Sequence, residues 1–466
     1  MQAGSRSALL RQALVLMFAL VLWGLLMAAQ ASVGPRDGTV ARLVSETGVT
    51  TGLGALLSRW QASGMQLALL LLAAPALLAA TPWLARGGRI AVVIFLGAAA
   101  MLCILEMPQL SNDLFLYRAA GEMLADGTNP YLTTPAQHFG ARALIGVPWT
   151  AQTSPYGPLA LELFALNAKL SPSWITSLWT LRIAMALPWL LLVLFAWRDR
   201  SPGALLAAGA SPLILLEVVQ SGHLDGWMGI LLVAVCALAT RDRPGALSRT
   251  ALVLALAAAI AVKATALVVV GALFVHLLRH PAWGLRPALL ALAASALCVL
   301  LAWLPLWTGP EVLAGLRAES GKVLQSIYQI LGTAPSTAAT LSIVGSGLAL
   351  VLAVFLVRRG WGLPGACVAA LIVQAILGRS FLQPWYFVAP LMIAAASGWG
   401  DQVRSKAEGA LLDCRVWAVA GASLIFGAYA LVFATRRLDP AIQTANVALM
   451  LLPGLTAFLL TARRRG

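Results

Sequence analysis

Charge is what this sequence has least of. Only 11% of its 466 residues are Asp, Glu, Lys or Arg, against 60% hydrophobic residues and a mean hydropathy of +0.87. That leaves too little polar surface to cover a water-soluble globule, so the composition is that of an integral membrane protein. Paired cysteines are missing as well. Cys103, Cys236, Cys298 and Cys367 lie inside apolar runs and Cys414 in a basic loop, without the spacing of a disulfide framework or a metal knuckle, and they read as small hydrophobes. There is no GxGxxG and no Walker sequence, which argues against a nucleotide-sugar site on a soluble domain. No residue cluster has metal-ligand spacing, so the expectation is chemistry with no metal and no cofactor. No internal repeat is visible, which disfavours a transporter built from inverted repeats.

What is there is a succession of apolar runs, each near the roughly 20 residues that cross a hydrocarbon core. The spans predicted are 9–29, 64–81, 89–107, 174–197, 203–219, 225–240, 249–262, 264–278, 285–305, 336–357, 362–378, 384–399, 416–436 and 442–462. The expected fold is therefore all-α, a polytopic membrane protein of roughly 12–14 transmembrane helices forming a single domain over 1–466. The first run follows Arg6 but leads to no A-x-A cleavage site, and reads as a membrane helix rather than a signal peptide. The net charge of +15 sits in short loops between runs, at 86–89, 197–200, 241–249, 279–286, 357–360, 401–409 and the 463–465 tail. With a cytoplasmic N-terminus all of these fall on the cytoplasmic side, as the positive-inside rule requires, and only Arg436 and Arg437 violate it. Charge so placed encodes topology and does not imply nucleic acid. Runs 249–262 and 264–278 are each short for a crossing; one tilted helix or a shallow hairpin around Lys263 both fit, and the basic loops beyond favour the hairpin.

This topology puts the other polar groups on the outer face: the long 108–173 segment, QSGHLD at 220–225, the Lys263 turn, the 306–335 loop and GRSFLQPWY at 378–386. Convergence of Asp, His, Lys, Arg and Gln at one set of membrane ends marks a site. Within SNDLFLYRAAGEMLADGTNPY, residues 111–131, Ser111 or Asn112 suits an N-cap, which places Asp113 in a first helical turn where the dipole favours an ionised carboxylate. Asp113, Tyr117 and Gly121 then share a face, and Arg118 and Glu122 pair at i,i+4.

The ordered set of Asp113, Tyr117 and Gly121, GTNPY (127–131), SPYGPL (154–159), SGHLD (221–225), AVK (261–263) and QPWY (383–386) resembles the polyprenol-phosphate-mannose-dependent α-1,6-mannosyltransferases of actinobacterial lipoglycan assembly, in the GT-C class of membrane glycosyltransferases. The resemblance runs from about residue 100 to 400. It departs at Leu224, where the family carries Asn between His and an acidic residue. It implies transfer of a hexose, most simply mannose, from a polyprenyl-phosphate sugar to a glycan or glycolipid acceptor at the extracytoplasmic face of the plasma membrane, with an Asp in the first large outer loop as base.

The residues suit that chemistry. Displacement at an anomeric carbon needs a base for the acceptor hydroxyl and donors for the departing phosphate. Asp113 is the candidate base. One carboxylate suffices for an inverting transfer, and no second Asp shares its helical face; Asp225 and Glu162 are next in line. Lys263, Arg379 and His223 are candidates for the phosphate, and Lys263, inside an apolar stretch where a charge costs about 2.5–3.5 kcal/mol, requires a partner. Tyr117, Tyr156, Asp225, Gln383 and Trp385 complete the substrate-binding candidates. Trp385 and Tyr386 first suit an interfacial aromatic belt, with stacking of a pyranose on Trp385 as the second role. The alternative readings are a transporter, or a flippase or polymerase of lipid-linked sugars.

Overall fold

Runs of Ala, Leu and Val can cross lipid only where every backbone N–H and C=O is satisfied within the segment, which selects helix. The computed structural model describes residues 88–105, 111–140, 147–171, 173–199, 209–320, 322–397, 408–409, 412–425, 428 and 440–464. The helices among them are α1 (Gly88–Leu105), α2 (Asp113–Ala125), α3 (Pro135–Phe139), α4 (Pro158–Leu170), α5 (Trp174–Asp199), α6 (Pro212–Gln220), α7 (Asp225–Ala239), α8 (Ala246–Val262), α9 (Val270–Arg279), α10 (Leu285–Trp303), α11 (Ala314–Ser320), α12 (Ile327–Ile330), α13 (Pro335–Arg358), α14 (Leu363–Leu377), α15 (Val388–Ser397), α16 (Cys414–Ile425) and α17 (Pro440–Arg464). No strand occurs among the described residues; a lone parallel bridge joins Leu324 and Phe381.

The protein is an all-α polytopic membrane protein. Thr176–Trp197, Leu285–Leu306, Pro335–Arg358 and Thr444–Arg463 are long and apolar enough to cross a bilayer, and α6 with α7 forms a fifth candidate bent by 117°. Five shorter apolar helices accompany them, at Val92–Met101, Ala246–Val262, Ala264–Arg279, Leu363–Leu377 and Pro384–Ser397. The predicted spans 9–29 and 64–81 lie outside the described residues, as do the first part of 203–219 and the second part of 416–436. The membrane helices are apolar on both sides. Val193, Leu371 and Met392 sit in a continuous core, while Leu300, Ile343 and Leu459 stand exposed on the outer surface, the pattern of a bundle whose solvent is lipid.

The ambiguity at Lys263 resolves as a hairpin. α8 stops at Lys263, which is extended (φ −153°, ψ 118°), and a 3-10 turn over Ala264–Val269 starts the return into α9. Arg249, near the start of α8, donates to the Ala282 carbonyl just beyond α9 at 2.9 Å, so both arms end at the same level. Lys263 is thus the tip.

Two glycines hold the site end of the bundle together. A Cβ on Gly121 would lie 2.4 Å from the Phe164 carbonyl oxygen, and one on Gly157 2.0 Å from the Ala261 oxygen. Hydrogen at both positions lets α2 cross α4 backbone to backbone at Phe164, and lets the start of α4 press on the end of α8, where Gly157 N–H donates to Val262 O at 3.1 Å. The Asn-Pro-Tyr turn works with them. Asn129 accepts from the Tyr131 backbone and donates to Leu306 O, and the Tyr131 hydroxyl donates to Tyr156 O at 2.7 Å. That motif is a clamp between the loops at this end of the bundle.

Candidate active site

Asp113 is the first residue of α2, and its backbone N–H donates to Ser111 Oγ at 3.2 Å. Its side chain opens into a cavity of about 340 Å³ that is also lined by Tyr117, Tyr156, Lys263, Arg379, Gln383, Trp385 and Tyr386. Segments more than 250 residues apart in sequence therefore meet where the sequence pattern expected them. Arg118 and Glu122 pair as expected, at 2.8 Å from Nε and 2.5 Å from Nη2.

Burial pushes the Asp113 carboxyl up from its ordinary value, opposed by His223, assisted by Glu319, and opposed again by Lys263 and Lys322. Only 17% of the side chain is exposed, so desolvation works against the ionised form that a helix start favours. Burial likewise pushes the Tyr117 and Tyr156 hydroxyls well up, with Asp113 the next contributor for each. Tyr117 stacks on Phe164 at 4.7 Å and meets Tyr156 edge-on at 4.9 Å.

Lys263 has the partner it requires. Its Nζ donates to both Asp225 oxygens, at 2.9 and 2.7 Å, and lies 4.9 Å from the centre of the Tyr386 ring. Arg379 stacks on the same ring at 5.2 Å and donates to Thr265 Oγ1. Among the described residues no carboxylate lies within ion-pair distance of it, and its buried Nε has no hydrogen-bond partner.

Two expectations change. His223 and Asp225 do not line the cavity but stand behind it, 0% and 2% exposed. His223 faces Asp113 with Nδ1 (3.6 Å to Oδ2) and Glu217 with Nε2 (3.2 Å to Oε2), so its environment is made of protein groups. Trp385 is not an interfacial anchor: it is 9% exposed and stacks on His223, centroids 4.0 Å apart and planes 16° off parallel. Glu319, from another loop, brings a second carboxylate to the cavity. Glu162, by contrast, is exposed on α4 outside it.

Sequence reasoning missed the wall made by Trp149, Gln152, Glu319 and Lys322. Lys322 Nζ bonds Glu319 Oε2 at 2.5 Å and lies 3.6 Å from the centre of the Trp149 ring. The loop is seated by Leu324 N–H to Ser380 O (3.1 Å), Leu382 N–H to Leu324 O (3.2 Å) and Gln383 Nε2 to Gln325 Oε1 (3.1 Å). Among the described residues, Trp149 and Gln325 are the two non-glycine residues with positive φ, at 56° and 49°, and both flank the site. Such backbone is uncommon and concentrates at functional positions. One signal was available in sequence: the 306–335 loop, expected on the same side as the 108–173 segment, carries Glu319 and Lys322, but nothing in their spacing aims them at Asp113.

A second cavity of about 510 Å³ shares Pro155, Tyr156, Ala264 and Leu316 with the first. The rest of its wall is apolar, with Leu267, Leu300, Trp303, Leu304 and Trp307 among its residues. A charged chamber therefore opens beside a hydrophobic one at Tyr156.

Residues 13–279 match the family described as alpha-(1->6)-mannopyranosyltransferase, N-terminal domain. The chain belongs to this family. Alpha-(1->6)-mannopyranosyltransferase A of Mycobacterium tuberculosis is 28% identical over 334 residues, covering 63% of this chain and 62% of that protein, so the match spans less than two thirds of the relative's length. No solved structure matches the chain. The part matched to the mannopyranosyltransferase family holds Asp113, Tyr117, Tyr156, His223, Asp225 and Lys263; Glu319, Lys322, Arg379, Gln383 and Trp385 lie beyond it.

Proposed function

We propose that the protein transfers mannose from a polyprenyl-monophosphate mannose to a glycan or glycolipid acceptor with inversion at the anomeric carbon, Asp113 acting as general base. The observation that carries this reading is one cavity with Asp113 on one wall and Lys263, Arg379 and Lys322 on the others, opening beside an apolar chamber. A lipid monophosphate sugar needs those two compartments: cationic donors for its phosphate and a dry groove for its prenyl chain. Arg379 takes the phosphate first, because Asp225 already balances Lys263 and Glu319 balances Lys322. Its planar fork also suits two phosphate oxygens.

Transfer is then a single displacement. The acceptor hydroxyl loses its proton to Asp113 as its oxygen bonds the anomeric carbon, and the carbon–oxygen bond to phosphate breaks with its electron pair leaving on the phosphate. Trp149, 43% exposed at the cavity mouth, offers the acceptor sugar a flat apolar face. The apolar helices support a membrane location, and the distribution of basic loops supports a site at the extracytoplasmic face. Tyr117, Tyr156, Gln383 and Trp385 shape the cavity around the sugar.

The test is transfer in detergent-purified protein supplied with polyprenyl-phosphate [14C]mannose and a short α-1,6-linked mannoside. Label must pass to the mannoside as a new α-mannoside. Hydrolysis without transfer, or no reaction with this donor while a nucleotide sugar is used, overturns the reading.

A further inference from the structure

Trp149 is a ring held in place by protein on some sides and left open toward the cavity. Its backbone lies at φ 56°, a conformation that persists only where the surroundings impose it. Here three hydrogen bonds do so: Gln152 N–H donates to Trp149 O, Ala136 N–H to Thr150 O and Ser154 N–H to Pro130 O, each at 2.9 Å. Lys322 Nζ covers one face of the indole, 3.6 Å from its centre, and Phe381 meets it edge-on at 6.4 Å. Even so, 43% of the residue is exposed, and it lines the cavity. A large aromatic body fixed in this way is an apolar platform for a ligand rather than part of a core.

Glu319 belongs to the same wall. It lies on α11, whose backbone passes so close to the loop after Gln152 that a Cβ on Gly315 would sit 2.4 Å from Ser154 O and 2.7 Å from Thr153 O. Ser380 Oγ donates to Ser320 O at 2.6 Å and fixes the far end of the helix. The Glu319 carboxylate lines the cavity and its charge is felt at Asp113, so the two carboxyls face one space. Lys322 takes one oxygen, Oε2 at 2.5 Å. Among the described residues no donor reaches Oε1, and no group pairs with the side-chain amide of Gln152, which lines the cavity too. A carboxylate accepts at both oxygens, and a carboxamide both donates and accepts. The wall thus offers unfilled hydrogen-bonding capacity next to an open ring.

We propose that Trp149, Gln152 and Glu319 form the subsite for the acceptor sugar, a terminal hexopyranoside, and that Glu319 selects it by accepting at Oε1 from a ring hydroxyl other than the attacking one. The inference rests on the proposed transfer. In that step the attacking hydroxyl gives its proton to Asp113, whereas the hydroxyl on Glu319 keeps its own and exchanges no atom. The chemistry of the cavity divides accordingly. Lys263, Arg379 and Lys322 only donate, which suits phosphate; a carboxylate only accepts, which suits a hydroxyl and repels phosphate. Hydrogen bonds to an ionised carboxylate are the stronger kind. A site built to receive a hydroxyl also rejects the analogue that lacks it, since its own polar group is then left unpaired. The ion pair with Lys322 holds the carboxylate in place and leaves Oε1 to the sugar.

The experiment measures kcat, donor KM and acceptor KM with methyl α-1,6-mannobioside and with its 2-, 3- and 4-deoxy forms at the terminal sugar, for wild type, Glu319→Ala, Glu319→Gln and Lys322→Met. In wild type the form lacking the bound hydroxyl has its acceptor KM raised by about 10-fold or more, the size of a hydrogen bond to a charged group. Glu319→Ala raises the KM of the parent mannoside by about the same factor, leaves donor KM unchanged and no longer distinguishes that deoxy form from the parent. Glu319→Gln, which keeps an accepting oxygen without its charge, retains part of the discrimination. Lys322→Met breaks the ion pair, leaves the carboxylate and keeps the discrimination, which a purely structural role of the pair would not allow. Wild-type discrimination in Glu319→Ala, or a loss of kcat with acceptor KM unmoved, overturns the proposal. If Glu319→Ala does not fold, Glu319→Gln decides by the same criterion. Should wild type not use the lipid donor, binding of the mannobioside to the purified protein, followed by saturation-transfer NMR, decides instead. Binding that weakens in Glu319→Ala leaves the subsite standing, and only the transfer reading falls; binding that is absent, or indifferent to Glu319→Ala, overturns the subsite.

Discussion

At the scale of single residues, Asp113 and Arg379 carry the most. Asp113→Asn preserves shape and removes the base, so kcat falls by about 100- to 10,000-fold, while donor affinity and detergent-solubilised folding stay as in wild type. Asp126→Asn is the control: Asp126 is 62% exposed, past the end of α2, and its partner is His138 at 3.2 Å. Near-native transfer by Asp113→Asn would place the base elsewhere, Glu319 being the other carboxylate on the cavity. Because burial pushes the Asp113 carboxyl up, it takes its proton at a pH above that of an ordinary Asp. Activity is therefore present above that raised value and is lost as pH falls through it, earlier than an exposed carboxylate would lose it; an acid limb within the ordinary Asp range contradicts this. Arg379→Ala raises the donor KM, and Arg379→Lys recovers part of it, since a point charge replaces a fork. Lys263→Ala behaves differently. It strands the buried Asp225, a change of the kind that costs about 3–5 kcal/mol, so its signature is lowered thermal stability as well as weaker donor use.

At the scale of elements, the site depends on backbone approaches that a side chain would block. Gly157→Ala puts a methyl against the Ala261 carbonyl and pushes α4 off the end of α8, where Lys263 sits. Overpacking of this kind costs about 1–3 kcal/mol, and the shift should also slow transfer. Gly97→Ala, on an exposed face of α1 with open space at the Cβ position, is neutral or stabilising by about 0.5–1 kcal/mol because alanine is the better helix former. Equal melting temperatures for the two variants would refute the close-approach argument. Helices and their ends were largely legible in sequence, because an apolar run bounded by basic or Pro-Gly residues has one good conformation in lipid. α5 extends from Trp174 to Asp199 where 174–197 was read, and the stop at Lys263 was visible as a charge in an apolar stretch. The π-helical turn at Leu215–Gln220 was not, since nothing in the pattern of Leu-Leu-Glu-Val-Val-Gln separates a π turn from an α turn.

At the scale of the whole molecule, charge placement predicts the cavity on the outer face, and labelling checks it. Ala151 is exposed on the loop that carries Trp149 and Gln152, and Asp242 and Arg359 are exposed in basic turns assigned to the opposite side. In a cysteine-free background, Ala151→Cys is labelled by a membrane-impermeant maleimide in intact cells, and Asp242→Cys and Arg359→Cys only after permeabilisation. The reverse pattern would put the site on the cytoplasmic side and remove a lipid-phosphate sugar presented outside from its reach.

Composition and periodicity alone determined that the chain is a helical membrane protein, where most helices begin and end, and that its unspent polar residues gather at one set of membrane ends. Those are properties of a segment and its solvent, so they can be read locally. Only the tertiary structure decided which of those polar residues face the cavity. His223 and Asp225 stand two residues apart in one short loop, yet one is clamped between Asp113 and Glu217 and the other neutralises Lys263. Arg379 and Lys263 both looked like phosphate ligands; three-dimensional pairing left Arg379 without a carboxylate partner among the described residues. The physical reason is that a charge's role in a low-dielectric interior depends on its nearest counter-charge, and that neighbour comes from another helix, at a distance that no spacing along the chain encodes.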